Sequence, residues 1–229
     1  MTKPSFPTAT QLKYSTLSEA ADMIEKSVLD RAFDARFAPE IKEKLASASV
    51  AVAGLGGLGS NITLMLARSG VGHLFLVDFD TVDPTNLNRQ AYGISHLGMP
   101  KTQAIKTLID EINPYLDVKT ECVKVTPANV AELFGAYPLV CEAFDKPDQK
   151  AMLVRELLTQ TAATVVSGNG MAGFGNSNAV ITKQINSRLY MCGDGSTDVG
   201  GGTGLMAPRV NICAGHQANK IIELILNKD

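Results

Sequence analysis

The 229-residue chain lacks several features that mark common protein classes. It has no tryptophan, and its 21 basic residues do not outnumber its 23 acidic ones, so the excess of positive charge typical of a nucleic-acid-binding protein is absent. No apolar run approaches the ~20 residues of a membrane span, and residues 1–16 lack the apolar segment of a signal peptide. We therefore expect a cytoplasmic protein whose partners are neither membranes nor nucleic acids.

The chain also lacks paired cysteines. Its four cysteines are Cys122, Cys141, Cys192 and Cys213, and none lies within four residues of another. This spacing excludes a zinc site built on C-x-x-C pairs, and a disulfide framework is not expected in a cytoplasmic protein. Cys122 and Cys141 fall in predicted strands and Cys213 in a predicted helix, so we expect these three to be buried structural thiols.

A glycine-rich turn, GLGGLG, follows the predicted buried strand Val50–Ala53 and precedes a predicted helix. Gly54 permits a tight exit from the strand, and Gly56 and Gly57 allow backbone N–H groups to approach a phosphate. Gly59 lets the helix pack closely against the strand. The helix N-terminus adds unpaired N–H donors and the positive end of its dipole, so the turn predicts a phosphate-binding site.

Two acidic residues follow predicted strands. Asp78 comes directly after the strand His73–Val77, ~20 residues beyond the glycines, where the ribose of a bound nucleotide is expected. Asp145 ends the predicted strand Leu139–Phe144. A strand, a helix and a strand within ~30 residues predict a parallel βαβ unit, so both carboxylates should face one edge of the sheet. We predict an α/β, Rossmann-like ATP-binding fold with a largely parallel central sheet flanked by helices.

The glycine turn alone fits NAD, FAD and several ATP-binding proteins. A dehydrogenase usually has a separate catalytic domain, for which few residues remain. Arg89 and Lys101 lie downstream of Asp78 in and after a polar loop. Two cations match a triphosphate better than a nicotinamide, so ATP is favoured over NAD.

We predict that residues 1–229 form a single domain in which 1–45 is a helical N-terminal arm. Apolar residues at helical spacing predict a helix over Leu17–Ala32. Asn178–Lys183 and Arg188–Cys192 resemble a further pair of strands.

The segment Gly193–Gly204 holds six glycines in twelve residues and is not expected to form helix or strand. A loop of this length inside a compact domain is usually functional or disordered.

The order of the motifs resembles that of the ubiquitin-activating enzymes and their bacterial relatives MoeB, ThiF and HesA. GLGGLG, DFD, NLNRQ and G-x-PK are followed by an aspartate at a strand end, and GMAGFG and GLMAPRV extend the match. The resemblance covers about Leu45 to Leu226. The short length and the final helix look most like the compact ThiF-type proteins of thiamine biosynthesis.

The resemblance implies an adenylyltransferase that activates the C-terminal glycine of a small ubiquitin-like sulfur-carrier protein (ThiS-like), using ATP and Mg²⁺ and releasing pyrophosphate. It also implies a homodimer. By position in the motifs, Asp78 resembles the ribose ligand, and Asp145 resembles a magnesium-binding carboxylate essential for adenylation. Arg89, Lys101 and Asp145 are the expected catalytic residues. The expected nucleotide-binding residues are Gly54, Gly56, Gly57, Gly59, Asp78, Asp80, Asn86, Arg89, Gln90, Lys101 and, from the partner subunit of a dimer, Arg36.

The implied chemistry brings a carboxylate anion to the α-phosphate of ATP. Two unit charges ~4 Å apart repel by ~4 kcal/mol at an effective dielectric constant near ~20. Arg89, Lys101 and Mg²⁺ would offset this repulsion and stabilise the leaving pyrophosphate. No general base is needed, since the carrier carboxylate is already ionised at neutral pH.

The chain departs from many members of this family in two places. It lacks the two zinc-binding C-x-x-C pairs, so no zinc is expected. It also lacks a cysteine just before GLMAPRV, where relatives use one for sulfur transfer or a thioester, and Cys192 is the only alternative nearby. Three alternatives stay open: activation of a tRNA-borne or small-molecule carboxylate, a non-catalytic carrier-docking subunit that binds nucleotide, and an NAD-binding module.

Overall fold

The computed structural model describes residues 24–198, 200 and 202–227. Its strands are β1 (Ser49–Ala53), β2 (His73–Val77), β3 (Asp117–Glu121), β4 (Leu139–Glu142), β5 (Thr164–Gly168), β6 (Ile181–Asn186) and β7 (Leu189–Gly193). Its α-helices are α1 (Lys26–Asp34), α2 (Pro39–Ser47), α3 (Gly57–Arg68), α4 (Lys101–Asp110), α5 (Val130–Phe134), α6 (Pro147–Gln160) and α7 (Ala207–Leu226). None of these helices is both long and apolar enough to cross a membrane.

The strands form one seven-stranded sheet in the order β3-β2-β1-β4-β5-β7-β6. All neighbouring pairs are parallel except β6 with β7, which places the one antiparallel strand at an edge. The predicted α/β fold with a largely parallel, Rossmann-like sheet is confirmed. The chain builds outward from β1 through β2 to β3 and then returns to the other side of β1 with β4. This reversal creates a crevice between β1 and β4, where open α/β sheets bind their ligands.

Both faces of the sheet are covered, and β1 shows why. Successive side chains of a strand point to opposite faces, so Val50 and Val52 belong to one core cluster, and Ala51 and Ala53 to the other. The first cluster includes residues of α3, α4 and α7, and the second includes residues of α5 and α6. Burial on both faces explains the continuous apolar run of β1.

The N-terminal region differs from the prediction. The first described helix is α1, and residues 17–23 of the predicted helix Leu17–Ala32 lie outside the described residues. Leu45, at the end of the predicted arm, is 2% exposed and belongs to the core. The second helix of this region, α2, lies within the predicted helical arm, and Leu45 is its buried residue.

The expectation that Cys122 is buried in a strand is wrong. The strand β3 ends at Glu121, and Cys122 is exposed. The apolar residues Val123 and Val125, which suggested a longer strand, instead pack against the α5–α6 side of the core after the chain has left the sheet. Hydrophobic burial outside the sheet therefore produced the same pattern as a strand.

Other boundaries shift by a few residues. β4 ends at Glu142 rather than Phe144, and β7 extends to Gly193, the first residue of the predicted glycine-rich loop. β6 begins at Ile181 rather than Asn178, because residues Ser177–Ala179 form a 3-10 turn.

Candidate active site

The carboxyl ends of the three central strands lie side by side. Ala53 is in register with Val77 of β2 and with Glu142 of β4. The N–H of Gly54 donates to the carbonyl of Val77 over 2.8 Å, and the N–H of Ala143 donates to Ala53 over 2.9 Å. The loops that follow these three strands therefore leave the sheet at one level. The glycine turn after β1 lies between the loops that follow β2 and β4.

The glycine turn needs its glycines for close backbone approach. Gly54 has φ +92°, and a Cβ there would lie 2.9 Å from the carbonyl oxygen of Ala143 in the loop after β4. A Cβ on Gly59 would lie 1.7 Å from the carbonyl oxygen of Gly54. The first turn of α3 therefore folds back directly onto the end of β1, with its free N–H groups at the crevice.

Two further segments pack around the same turn. A Cβ on Gly57 would lie 3.2 Å from Val210 of α7 and 3.5 Å from Arg89, and the nearest atom to one on Gly56 would be Nε2 of Gln90 at 3.8 Å. The NLNRQ loop and the start of α7 thus join the glycine turn in one site, although they are far apart in the sequence.

Asp78 connects β2 to the glycine turn. One carboxylate oxygen accepts the N–H of Leu55 over 2.6 Å, and the other accepts the N–H of Asp80 over 2.8 Å. The residue is 8% exposed, and this burial raises the pKa of Asp78, against the lowering effects of the Asp80 N–H and the charge of Lys101. The carboxylate keeps further lone pairs that can accept hydroxyl groups.

Tyr92 is a component of the site that could not be predicted from the sequence. Its hydroxyl donates to the carbonyl of Leu55 over 2.8 Å, so the Leu55 backbone is held by Asp78 on one side and Tyr92 on the other. Burial raises the pKa of Tyr92, which keeps the hydroxyl protonated as a donor. No periodic pattern marks this tyrosine, because it lies in an irregular loop.

Lys101 and Asp80 form an ion pair at the start of α4. The Lys101 ammonium lies 3.0 Å from the Asp80 carboxylate, and the side chains are 7% and 51% exposed. The Lys101 N–H also donates to the Asp80 carbonyl over 2.9 Å. A largely buried cation is thus held at the carboxyl edge by a partner that remains open to solvent.

Arg89 and Gln90 have different surroundings in the NLNRQ loop. The Arg89 guanidinium donates to the Thr85 carbonyl over 3.0 Å and to the Asn88 side chain over 2.8 Å. Gln90 is 9% exposed, and its side-chain oxygen has no hydrogen-bond partner among the described residues. An unpaired buried acceptor beside Gly56 fits a site that a polar ligand completes.

Asn86 is occupied locally. Its side-chain oxygen accepts the N–H of Asp83 over 3.1 Å and closes a capping box on the 3-10 turn Pro84–Asn86. The structure thus places Asn86 in the loop beside Arg89, with one side-chain oxygen already engaged.

Asp145 lies three residues beyond the end of β4 and is exposed. Of the described residues, none makes a hydrogen bond or ion pair with its carboxylate. One free carboxylate in the loop that leaves the carboxyl edge of the sheet fits Mg²⁺, which takes one or two protein carboxylates and fills its remaining positions with water and phosphate oxygens. No group of three His, Cys, Asp or Glu side chains that could hold a metal occurs in the part of the chain that the structure describes.

A family model described as "ThiF family" matches residues 29–229. The chain belongs to the ThiF family. Among curated relatives, the adenylyltransferase and sulfurtransferase UBA4 of Lodderomyces elongisporus is 28% identical over 80% of this chain and 42% of its own length. The molybdopterin-synthase adenylyltransferase of Haemophilus influenzae is 35% identical over 50% of this chain and 48% of its own. The chain thus spans less than half the length of these relatives.

Solved structures share the fold of this ThiF-family chain. The crystal structure of E. coli tRNA N6-threonylcarbamoyladenosine dehydratase, TcdA, in complex with ATP matches with a TM-score of 0.78 at 24% identity, covering 89% of this chain and 96% of that one. E. coli MccB with ATP matches with a TM-score of 0.65 at 18% identity. At these identities the likeness concerns the fold alone.

Arg36 is the one expected ligand that this ThiF-family chain does not bring to the carboxyl edge. It is exposed between α1 and α2. The neighbouring Phe33 and Phe37 line a cavity of about 230 Å³ together with His73 and Asp117, the first residues of β2 and β3. Arg36 therefore lies toward the amino edge of its own sheet.

Cys192 does not have the exposure that a covalent role requires. It is fully buried, and its sulfur lies 3.5 Å from the Thr182 hydroxyl. Burial raises the pKa of Cys192, and that of Cys213 to about 12, which disfavours the reactive thiolate in both. The expectation that Cys141 and Cys213 are buried is confirmed.

An ion pair anchors the glycine-rich loop before GLMAPRV. The Asp194 carboxylate pairs with Arg209 at the start of α7 and accepts the N–H groups of Ser196 and Thr197. Arg209 also donates to the Asn176 carbonyl over 3.1 Å. Burial of Asp194 opposes its ionisation, but the hydrogen bonds that it accepts from Thr197, Ser196 and Arg209 dominate and lower its pKa. No sequence pattern marks either charge.

Proposed function

We propose that this protein is an ATP-dependent adenylyltransferase that activates the C-terminal glycine carboxylate of a small ubiquitin-like sulfur-carrier protein and releases pyrophosphate. We further propose that this carrier is ThiS-like and that the reaction belongs to thiamine biosynthesis. Membership of the ThiF family and relatives named adenylyltransferase support the reaction class.

The observation that carries the proposal is the convergence on the glycine turn. Asp78, bonded to Leu55 of the turn, lies on one side of it, and the loop that contains Asp145 leaves β4 on the other. Lys101 and Arg89 add positive charge at the same edge. This arrangement matches a nucleotide with its ribose at Asp78, its phosphates over the start of α3 and its reacting end toward Asp145.

The reaction needs charge compensation more than proton transfer. A carboxylate oxygen of the carrier bonds to the α-phosphorus of ATP, the bond from that phosphorus to the bridging oxygen breaks, and pyrophosphate leaves with the electron pair. Lys101 and Arg89 offset the repulsion between the carboxylate and the triphosphate and stabilise the leaving group. Asp145 would hold Mg²⁺, which when bound neutralises phosphate charge.

The buried side-chain oxygen of Gln90 supports nucleotide binding. The oxygen lacks a partner in the described structure, and the same amide group approaches Gly56 through its Nε2, so a donor group of a nucleotide bound at the glycine turn could complete it. Asp80 takes part through Lys101, since its carboxylate holds the ammonium in place until a phosphate shares it.

We propose that the protein forms a homodimer, as its membership of the ThiF family suggests. Arg36 is exposed between α1 and α2, where the guanidinium is open to a second subunit. We therefore propose that Arg36 acts in trans.

The test is ATP–pyrophosphate exchange by the purified protein with and without a Gly-Gly-ending ThiS-like carrier. Exchange is expected only with the carrier, and Asp145→Ala should abolish it. Asp148→Ala, an exposed carboxylate at the start of α6, is the matched control and should retain exchange. Unchanged exchange in Asp145→Ala would refute the magnesium assignment.

Other outcomes of the same assay separate the alternatives. Exchange with a carrier of molybdopterin synthesis but not with a ThiS-like carrier would reject the thiamine assignment and keep the reaction. Exchange without any carrier would indicate a small-molecule carboxylate. Exchange only with tRNA would indicate an RNA-borne carboxylate, against the net charge of −2. ATP binding without exchange would indicate a docking subunit.

A further inference from the structure

Glu142, the last residue of β4, is a fully buried carboxylate close to the proposed site. Three donors converge on it. The Ser167 hydroxyl lies 2.5 Å away, the Lys150 ammonium 2.8 Å and the N–H of Phe144 2.7 Å. Lys150 comes from the first turns of α6, so the carboxylate joins two strands, a helix and the loop after β4.

The backbone of Phe144 is held from both ends. Its N–H donates to Glu142, and its carbonyl accepts the Lys150 ammonium over 3.0 Å. The two side chains also pair with each other, so the three groups form a closed ring of hydrogen bonds. Phe144 directly precedes Asp145, so this ring fixes the position of the backbone from which Asp145 extends.

The strand end beneath the ring is also fixed. The side-chain N–H₂ of Gln217 on α7 donates to the carbonyl of Glu142 over 3.1 Å and to that of Val166 over 3.3 Å. Gln217 is fully buried, so these bonds are shielded from water. Glu142 is thus a rigid base from which its side chain can orient the loop.

Stability alone does not account for a charged pair at this position. Replacing a buried ion pair with apolar residues of similar volume is often neutral or stabilising by roughly 1–4 kcal/mol. An apolar pair at 142 and 150 would preserve burial, but it would leave the Phe144 N–H and carbonyl, and the buried Ser167 hydroxyl, without these partners. What the charges add is a defined path for the loop.

We propose that Glu142 and Lys150 are positioning residues that orient Asp145 for adenylation. The inference rests on the proposed function, because it concerns the carboxylate assigned to Mg²⁺ there. The Glu142–Lys150 pair acts through the Phe144 peptide and does not touch the nucleotide. A displacement of about 1 Å at a reacting centre can cost about 100-fold in rate.

The test compares the wild-type with the double variant Glu142→Leu/Lys150→Met, which removes both charges together and leaves no unpaired buried ion. In carrier-dependent exchange, kcat should fall by about 10-fold or more, while KM for ATP stays within about 3-fold. The Mg²⁺ concentration for half-maximal rate should rise. Lys150→Arg keeps the charge and the donors and should retain most of the wild-type kcat. Lys183→Met on β6 removes an exposed charge elsewhere and is the control.

A second readout does not depend on activity. The Phe144 amide, followed by hydrogen–deuterium exchange in the nucleotide-free protein, should exchange about 10-fold faster or more in the double variant, because its acceptor is lost. If the double variant does not fold, Lys150→Gln is measured in the same two ways.

The outcomes separate this inference from the proposed function. If the wild-type catalyses ATP–pyrophosphate exchange and the folded double variant has the same kcat and Mg²⁺ dependence, the positioning role is overturned. This holds whatever the hydrogen–deuterium exchange of the Phe144 amide shows. Absence of exchange by the wild-type with every carrier would overturn the proposed function and the catalytic part of this inference. The Phe144 amide would then show whether the ring holds the loop.

Discussion

The Asp78 carboxylate accepts the N–H of Leu55 over 2.6 Å, and this bond ties the end of β2 to the glycine turn after β1. The same carboxylate accepts the N–H of Asp80 through its other oxygen. The residue proposed to bind ribose therefore also shapes the turn proposed to bind phosphate. Nucleotide affinity and the geometry of the turn should respond together when Asp78 changes.

Asp78→Asn should weaken both. In the wild-type, each carboxylate oxygen of Asp78 accepts one backbone N–H. Asparagine replaces one of these oxygens with an N–H₂ group, so one backbone N–H loses its acceptor at a cost of about 1–3 kcal/mol. ATP affinity should fall by about 10-fold or more, as expected for loss of a charged acceptor. Calorimetric titration with ATP and urea unfolding would measure the two effects.

Asp117→Asn is the matched control for this prediction. Asp117 begins β3, is exposed and pairs with His73 at the opposite edge of the sheet. Its substitution should leave ATP affinity unchanged. Equal losses in both variants would indicate a general effect of charge rather than a site at Asp78.

Two glycine-to-alanine substitutions should have opposite effects. A Cβ on Gly59 would lie 1.7 Å from the Gly54 carbonyl oxygen, whereas one on Gly215 in α7 would meet nothing within 4 Å. Gly59→Ala should destabilise the protein by about 3 kcal/mol or more through backbone displacement. Gly215→Ala should stabilise it by about 0.5–1 kcal/mol because alanine restricts the unfolded chain. Chemical unfolding of both variants tests the close packing of α3 on β1.

The glycine turn and the two aspartates that follow β2 and β4 could be predicted because their signals are local. Gly54 and Gly59 follow an apolar strand at fixed spacing, Asp78 directly follows β2, and Asp145 lies three residues beyond the end of β4. Parallel topology then places the carboxyl ends at one edge, so the convergence follows from the pattern alone. The boundaries were less reliable, because buried residues such as Val125 continue the apolar pattern of a strand after the sheet has ended.

The supporting contacts could not be predicted, because they join residues with no mutual spacing rule. Glu142 bonds to Ser167, 25 residues away, and Tyr92 bonds to Leu55, 37 residues away. Each residue type has several ordinary locations in a protein, and only the three-dimensional path of the chain brings the partners together. Glu142 was the least foreseeable, since a strand end that reads as apolar up to Cys141 gives no reason for a buried charge.

The Asp194–Arg209 pair should make stability depend on pH in the acid range. Hydrogen bonds from Thr197, Ser196 and Arg209 lower the pKa of Asp194 in the folded state, despite its burial. A carboxyl whose pKa is lower when folded stabilises the protein above its unfolded pKa of ~3.9 and loses this contribution as pH falls below it. The stability difference between the wild-type and Asp194→Asn should therefore be largest near neutral pH and shrink below pH ~4.

Urea unfolding of both proteins at several pH values between about 3 and 7 measures this dependence. Asp198→Asn removes another carboxylate from the same loop, where it is exposed, and controls for the loss of charge alone. A constant difference between the wild-type and Asp194→Asn across this range would mean that Asp194 does not stabilise the fold through its ionised form.

Lys101→Met should separate nucleotide binding from stability. The Lys101 side chain is 7% exposed, but its partner Asp80 is 51% exposed and regains water when the ammonium is removed. Methionine also fills the space of the aliphatic stem, so the free energy of unfolding should change by no more than about 1 kcal/mol. ATP affinity should nevertheless fall by about 10-fold or more, because a charge-assisted contact to phosphate is lost. Lys106→Met, on the same helix and paired with Asp110, should leave ATP affinity intact, and equal ATP affinity in all three proteins would remove Lys101 from the phosphate site.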